Sequence, residues 1–177
     1  MPAMMTTKLI EVDPTLRDFI VLTEVDDGPV FAQAIFQRKF HQDCPNFPHH
    51  IVAFYISPSK AFIPASYAHF RPYKTVYLAG GGCTDGNALQ KLSEDEKTKL
   101  TVANGLLLQT MRYGFIRFAD QCEAYFGYCG DDRAWGVFME AGFEPTPHKH
   151  LIARWHKDLS EQRKTELIEE VFTIGPF

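Results

Sequence analysis

The chain has 177 residues, 45% of them hydrophobic, and a formal net charge of −4, which is enough apolar material for a two- or three-layer core in one ordinary globular domain. Interspersed charges of both signs exclude a dedicated nucleic-acid face, which needs basic residues clustered together. The apolar runs fall far short of the roughly 20 residues that a spanning helix requires, and residues 1–7 lack the apolar core of a signal peptide, so no membrane association is expected.

No long Gly/Ser tract, low-complexity run or repeat interrupts the pattern, which makes residues 1–177 a single domain. The four cysteines, Cys44, Cys83, Cys122 and Cys129, are widely separated, as free thiols are in a reducing compartment. A cytoplasmic location is therefore expected.

Residues 1–14 carry little pattern, and Asp13-Pro14 marks a turn. Phe19-Ile20-Val21-Leu22 reads as a first strand. Asp27-Gly28-Pro29 then starts a helix, with an acid at the N-cap and a proline tolerated in the first turn. That helix, residues 30–40, puts Phe31, Ala34, Ile35 and Phe40 near one face. The loop Asp43-Cys44-Pro45-Asn46-Phe47-Pro48 cannot continue it. Residues 50–56 are a near-continuous apolar run closed by Ser57-Pro58, which suits a buried strand. Residues 62–70 form a weaker strand, where Pro64 removes a ladder donor and points to an edge or a bulge. Arg71-Pro72 turns the chain into a strand over 74–79, and the three strands make an antiparallel meander.

The next stretch, Tyr77 to Phe143, organises the rest. An apolar strand over 75–79 runs into a glycine turn, Gly80-Gly81-Gly82-Cys83-Thr84-Asp85-Gly86, and then into a long amphipathic helix. Ser93-x-x-Glu96 is a capping-box pattern, and Glu94 and Asp95 favour the positive end of that helix. Leu100, Ala103, Leu107, Met111, Phe115 and Phe118 follow at spacings of three and four, a core stripe. Gly105 and Gly114 each cost a helix interior about 1 kcal/mol relative to alanine, so one of them marks a close approach or the helix end. The helix is expected to stop between Gly114 and Asp120. An aromatic strand over 122–128 is reached by a helical crossover, which makes it parallel to 74–79. Gly130-Asp131-Asp132 caps a short helix over 133–141, and Gly142 ends it in the left-handed role. Residues 150–155 read as a last strand. Residues 160–172 read as a C-terminal helix that buries Leu167, Ile168, Val171 and Phe172.

This order of elements resembles the GNAT superfamily of acyl-CoA-dependent N-acyltransferases over roughly residues 16–156. The best local match is Asp131-Asp132-Arg133-Ala134-Trp135-Gly136-Val137-Phe138-Met139-Glu140-Ala141-Gly142-Phe143. It is similar to the family's late motif, in which Asn-x-x-Ala opens a helix and Tyr-x-x-x-Gly-Phe closes it. The resemblance implies an α+β fold with a six- to seven-stranded mixed sheet, mainly antiparallel, flanked by helices on both faces. It implies transfer of an acyl group, acetyl first, to a small-molecule amine or a peptide amine, with acetyl-CoA or another acyl-CoA as cosubstrate. The ligand is then expected along Ala79, Gly80, Gly81, Gly82, Cys83 and Thr84, with its pyrophosphate near Ser93 and with Asp131 and Phe138 of the late motif beside it.

Departures from the family pattern shape the expectation. The Gln/Arg-x-x-Gly-x-Gly/Ala string that normally holds pyrophosphate is missing before the central helix. Glu94, Asp95 and Glu96 would repel that anion. Asp131 stands where Asn is usual, and Phe138 where a Tyr often serves as general acid, so the acid falls to Tyr128, Cys83 or water. A non-catalytic module that keeps the fold and binds a ligand or partner is the alternative.

Each candidate also has a structural reading. The triple glycine makes either a bulge that splays the sheet or a plain strand-end turn. Cys83 is either a nucleophile or a small buried apolar residue. His41, Cys44, His49 and His50 match no standard zinc spacing and read as structural or surface residues rather than a metal site. His69, His148, His150 and His156 read as ordinary residues, although a strand-end histidine near the splay could act as a base. One or two of the many aromatics line an acceptor pocket. The extension over 158–177 packs either on its own sheet or on a second subunit, which makes a homodimer a possible partner.

Overall fold

The computed structural model describes residues 12–177; the reading of residues 1–7 lies outside them. In chain order the elements are β1 (Ile20–Val25), α1 (Gly28–Phe40), β2 (His49–Ile56), β3 (Phe62–Tyr73), β4 (Val76–Thr84), α2 (Gly86–Leu89), α3 (Glu94–Val102), α4 (Leu106–Arg117), β5 (Ala124–Tyr128), α5 (Asp132–Glu140), β6 (Glu144–Pro145), β7 (Leu151–Trp155) and α6 (Glu161–Phe172). The strands form one seven-stranded sheet in the order β1-β2-β3-β4-β5-β7-β6. Among the described residues only β4 and β5 run parallel, in register from Val76↔Ala124 to Ala79↔Gly127. That pairing and its helical crossover are as the apolar runs predict.

Helices cover both faces. Leu108, Met111 and Phe115 of α4 pack with Phe138 of α5 on Ile51, Ala68, Phe70, Tyr77 and Ala79. Ala32, Ile35 and Phe36 of α1 lie on Val52, Phe54 and Tyr67 of the opposite face. Strand β2 is therefore apolar at every position from Ile51 to Tyr55, because both its faces are buried. Along the same side as α1, Leu167 and Val171 of α6 cover Val76, Leu78, Ala124, Phe126, Leu151 and Ala153. The C-terminal stripe is thus closed by the chain's own sheet. No helix among the described residues is long and apolar enough to cross a membrane.

Several sequence expectations are corrected. The buried stripe of α1 is Ala32, Ile35 and Phe36, while Phe31 and Ala34 are exposed; the sheet takes the face one residue away from the expected one. Phe172 is likewise exposed, stacked on His148 with ring centroids 3.6 Å apart. Arg71-Pro72 is not a turn: β3 runs on to Tyr73 and the chain reverses at Lys74, whose φ is 49°. Strand β2 ends at His49 opposite Phe70, so Pro72 stands where β3 has lost a neighbour and a missing donor is tolerated. Pro64 does mark a bulge, where the β2/β3 register shifts between Ala53 and Phe54.

The long helix from Ser93 is two helices. Asn104 and Gly105 take positive φ values of 61° and 87°, and the Gly105 N–H returns to the Leu100 carbonyl at 2.9 Å, a left-handed stop that satisfies the end of α3. Leu100 and Ala103 then pack with Leu16, Ile20 and Tyr55, whereas α4 starts afresh in a new direction over the sheet centre. Gly114 is the close approach: a Cβ there would lie 2.3 Å from Phe70 Cζ.

Candidate functional site

The glycine run is strand rather than turn. Tyr67 pairs with Cys83 and His69 with Gly80, with a register shift between them, so Gly81 and Gly82 together oppose Ala68. Gly81 has φ +61°, the left-handed conformation of a bulge that only glycine adopts freely. Pairing of β4 with β5 ends at Ala79↔Gly127, and β4 continues along β3 to Thr84. This parallel pair, the only one among the described residues, therefore opens into a wedge at its carboxyl end, starting at the glycines.

Two cavities meet in this wedge. One, about 420 Å³ on the α4 side, is lined by Gly82, Cys83, Thr84, Gly105, Leu107 and Arg133. The other, about 410 Å³ on the α1 side, is lined by Phe36, Phe47, His69, Gly80, Tyr128 and Phe138. Both touch Gly82, Lys39 and Ala134. A Cβ on Gly82 would sit 3.3 Å from Leu107 Cδ1 and 3.5 Å from Phe138 Cζ, so the junction has little room to spare.

The α4-side cavity is suited to an anion. Gly105 caps α4 without any side-chain hydrogen bond, and the first turn holds no acid, which leaves first-turn N–H groups and the positive helix end open. Arg133 and Lys39 stand on the same cavity. Ser93 does not line either cavity. Its hydroxyl accepts from the Glu96 N–H at 3.2 Å, and the Glu96 carboxylate accepts from the Ser93 N–H at 2.8 Å, so α3 is closed on itself. Glu94, Asp95 and Glu96 belong to that closed end, and the repulsion they threatened does not fall on α4.

The remaining candidates divide by environment. Ala79, Gly80, Gly81, Gly82, Tyr128, Asp131 and Phe138 line the α1-side cavity, and Gly82, Cys83 and Thr84 the other. Asp131 is occupied: it accepts from the N–H groups of Arg133 at 2.8 Å and Ala134 at 3.2 Å, and pairs with Lys39 at 3.0 Å. The Lys39 contact and those two N–H groups lower its pKa. Phe138 is 8% exposed, edge-on to Phe143 at 5.6 Å, and has no proton to give. Burial pushes the Cys83 thiol up to about 12, so it is no thiolate at neutral pH. His69, 5% exposed, is wedged between Phe36 and Phe47, and burial pushes its pKa down to about 3. The N-terminus of α4, Lys39 and Arg133 went unnoticed in the sequence; the Asn104-Gly105 dipeptide was the available signal for the first.

His49 and His50 are adjacent on β2 and face opposite sides: His49 pairs with Glu24 at 2.6 Å, His50 with Tyr67 at 2.7 Å. Among the described residues, no three His, Cys, Asp or Glu side chains come together as metal ligands.

No protein-family model matches the chain, and no curated protein matches it in sequence. Solved structures match its fold. The ribosomal-protein-S18-alanine N-acetyltransferase from Escherichia coli is 10% identical with a TM-score of 0.54, over 80% of this chain and 97% of that one. Tetrahymena GCN5 is 14% identical with a TM-score of 0.51, over 80% and 99%. A Pyrococcus horikoshii protein provisionally assigned as an acetyltransferase is 9% identical with a TM-score of 0.50, over 72% of this chain but 44% of that one; the chain spans less than half of that protein's length. The seven-stranded mixed sheet with its helices on both faces is the fold of the GNAT acetyltransferases.

Proposed function

We propose that this chain, which has the GNAT N-acyltransferase fold, transfers an acyl group, most simply acetyl, from an acyl-CoA to an amine. The observation that carries this reading is the wedge between β4 and β5, with its two cavities joined at Gly82. In this reading the acyl-CoA lies along Ala79 to Thr84. Its pyrophosphate takes the open N-terminus of α4 between Arg133 and Lys39, and its thioester reaches Gly82. The amine enters from the α1 side, where Phe36, Phe40, Phe47 and Tyr128 suit an amino group carried on an apolar or aromatic body, whether a small molecule or a peptide.

The amine lone pair attacks the thioester carbonyl carbon, the C–N bond forms, and the C–S bond breaks with its electron pair going to sulfur. The protein's main contribution is to hold the two reactants in line across the wedge, with one group to take the amine proton and another to protonate the thiolate. Tyr128, at the end of β5, is the donor favoured here. Cys83 holds its proton too tightly, and Phe138 has none.

Calorimetry with acetyl-CoA and longer acyl-CoAs tests the proposal. Binding is expected, and Gly82→Val, which fills the junction under Leu107, is expected to abolish it with the circular dichroism spectrum unchanged. Absence of wild-type binding at millimolar ligand overturns it in favour of a non-catalytic module.

A further inference from the structure

We propose that Phe177, carried over the end of β5 by the chain that leaves α6, is a wall of the acceptor cavity and limits the size of the amine admitted. This rests on the acyl-transfer reading and adds a specificity residue from the segment 158–177, outside the stretch whose order of elements resembles the superfamily.

The cavity exists because one face of the sheet runs out of side chains. Along β4, Val76 and Leu78 point to the side that α6 covers, and strand alternation puts Gly80 next on that face. Gly80 pairs with His69 of β3. It also stands one residue past the last β4/β5 pair, Ala79↔Gly127, so its neighbour on the other side is Tyr128. Tyr128 follows Ala124 and Phe126 onto the same face. With no side chain at Gly80, a gap is left between His69 and Tyr128. His69 leans over part of it, since a Cβ on Gly80 would fall 2.7 Å from His69 Nε2. The remainder belongs to the α1-side cavity of about 410 Å³.

The boundary of that space on the β5 side comes from α6. Arg163, in the first turn of the helix, donates to Glu123 just before β5 at 2.8 Å, and Leu167 and Val171 lie on the cluster that holds Ala124 and Phe126. The helix therefore follows β5 toward the wedge. As it ends, the Ile174 N–H donates to the Val171 carbonyl at 3.0 Å and the Gly175 N–H to the Phe172 carbonyl at 3.2 Å. Gly175 then takes φ +81°, a left-handed step that turns the chain off the helix axis, and Pro176 restricts the step after it. Ile174 and Phe177 continue on the same apolar cluster as Leu167 and Val171. The Phe177 ring meets Tyr128 edge-on, with centroids 6.2 Å apart and planes at 66°, and lines the cavity together with it.

Phe36 and Phe47 flank His69 at the other side of the gap. The body of the amine thus lies between two aromatic walls, one from α1 and the loop after it and one from the tail of α6. Rings packed this way yield little to a larger guest, so enlarging the amine beyond the gap costs binding in the transition state.

Two probe amines, 2-phenylethylamine and the wider 2-(2-naphthyl)ethylamine, read the wall through thiol release from acetyl-CoA. Phe177→Ala is expected to raise the naphthyl-to-phenyl ratio of kcat/KM at least about tenfold, and Phe177→Trp to lower it, with the calorimetric Kd for acetyl-CoA as in wild type. Gly175→Val, which disturbs the left-handed step and leaves the Phe177 ring intact, is expected to shift the ratio in the direction of Phe177→Ala. Loss of stability, or an effect passed on through Tyr128, scales both amines together and does not move the ratio. A ratio within about twofold of wild type in both Phe177 variants makes the ring a packing feature and overturns the proposal. Failure of the wild type to bind acetyl-CoA removes the transferase reading instead, and the Kd values of the two amines for the free protein then decide: the same opposite shifts in Phe177→Ala and Phe177→Trp keep the wall, whereas unchanged ratios or no amine binding overturn it.

Discussion

At the scale of single residues, burial governs what the titrating groups can do. His69 has a folded pKa of about 3 against an ordinary 6.5, because the imidazolium is poorly solvated among Phe36, Phe47 and the glycine backbone. Above pH 6.5 neither the folded nor the unfolded chain protonates it, and nothing is lost. Between pH 6.5 and about 3 the unfolded chain binds a proton that the folded one refuses, so stability falls as pH falls, by up to about 1.4 kcal/mol per pH unit. His50 and His156, shifted the same way by burial, add to the slope. Urea unfolding across this range is expected to give a shallower pH dependence for His69→Gln than for wild type; identical slopes would show that His69 protonates freely in the folded state. A second expectation concerns Phe138, whose Cζ lies 3.5 Å from a Cβ placed on Gly82. Phe138→Tyr is expected to leave the fold intact and to raise turnover by placing a hydroxyl where the thiolate leaves, checked by thiol release. The caps at Asp27, Ser93 and Asp131 were readable because capping is a local bargain between a side chain and the next turn. The burial of His69 was not, because it depends on α1 and on the loop carrying Phe47.

Between elements, the glycines separate local from tertiary causes. Gly114 and Gly136 both lie within helices, where alanine is better by about 1 kcal/mol on propensity alone. A Cβ on Gly136 meets nothing within 4 Å, whereas one on Gly114 meets the rigid, buried Phe70 ring at 2.3 Å. Gly136→Ala is therefore expected to stabilise by about 0.5–1 kcal/mol and Gly114→Ala to destabilise by about 1–2 kcal/mol, the overpacking penalty exceeding the propensity gain. Urea midpoints of the two variants check the signs. Periodicity ran α3 and α4 together because Leu100, Ala103, Leu107 and Met111 keep helical spacing across the break. The two helices bury those residues against different parts of the sheet, and the left-handed Asn104-Gly105 step is what turns one into the other.

For the whole molecule, α6 joins the C-terminus to the sheet centre. Arg163 donates to both Glu123 carboxylate oxygens, at 3.2 and 2.8 Å, and to Thr75 Oγ1 at 3.3 Å. The Arg163 contact holds the Glu123 pKa at about 2, well below its ordinary 4.5. A depressed carboxylate stabilises the fold above pH 4.5, and that contribution is lost as pH falls through about 2; solvent screening at this exposed pair keeps it small. Glu123→Gln is expected to remove this part of the acid dependence. Ending the chain at Asp158 would uncover Val76, Leu78, Phe126 and Ala153. A lower melting temperature and new binding of a hydrophobic dye are expected for that truncation; an unchanged melt would show that α6 contributes nothing to the sheet.

The sequence alone determined most of the strands, the parallel crossover and the starts of α1, α3, α5 and α6, since apolar runs, turn residues and caps act over a few neighbouring residues. It also singled out Gly80–Gly82 as either a strand-end turn or a bulge that splays the sheet, and the fold makes it a bulge within β4. Tertiary structure decided which helix end opens into the wedge, moving the anion-binding expectation from Ser93 to Gly105, and which side chains share the cavities. Those depend on where α1, α4 and the β2/β3 register bring distant residues together, and burial of a histidine or a cysteine is a property of everything packed around it rather than of its neighbours in the chain.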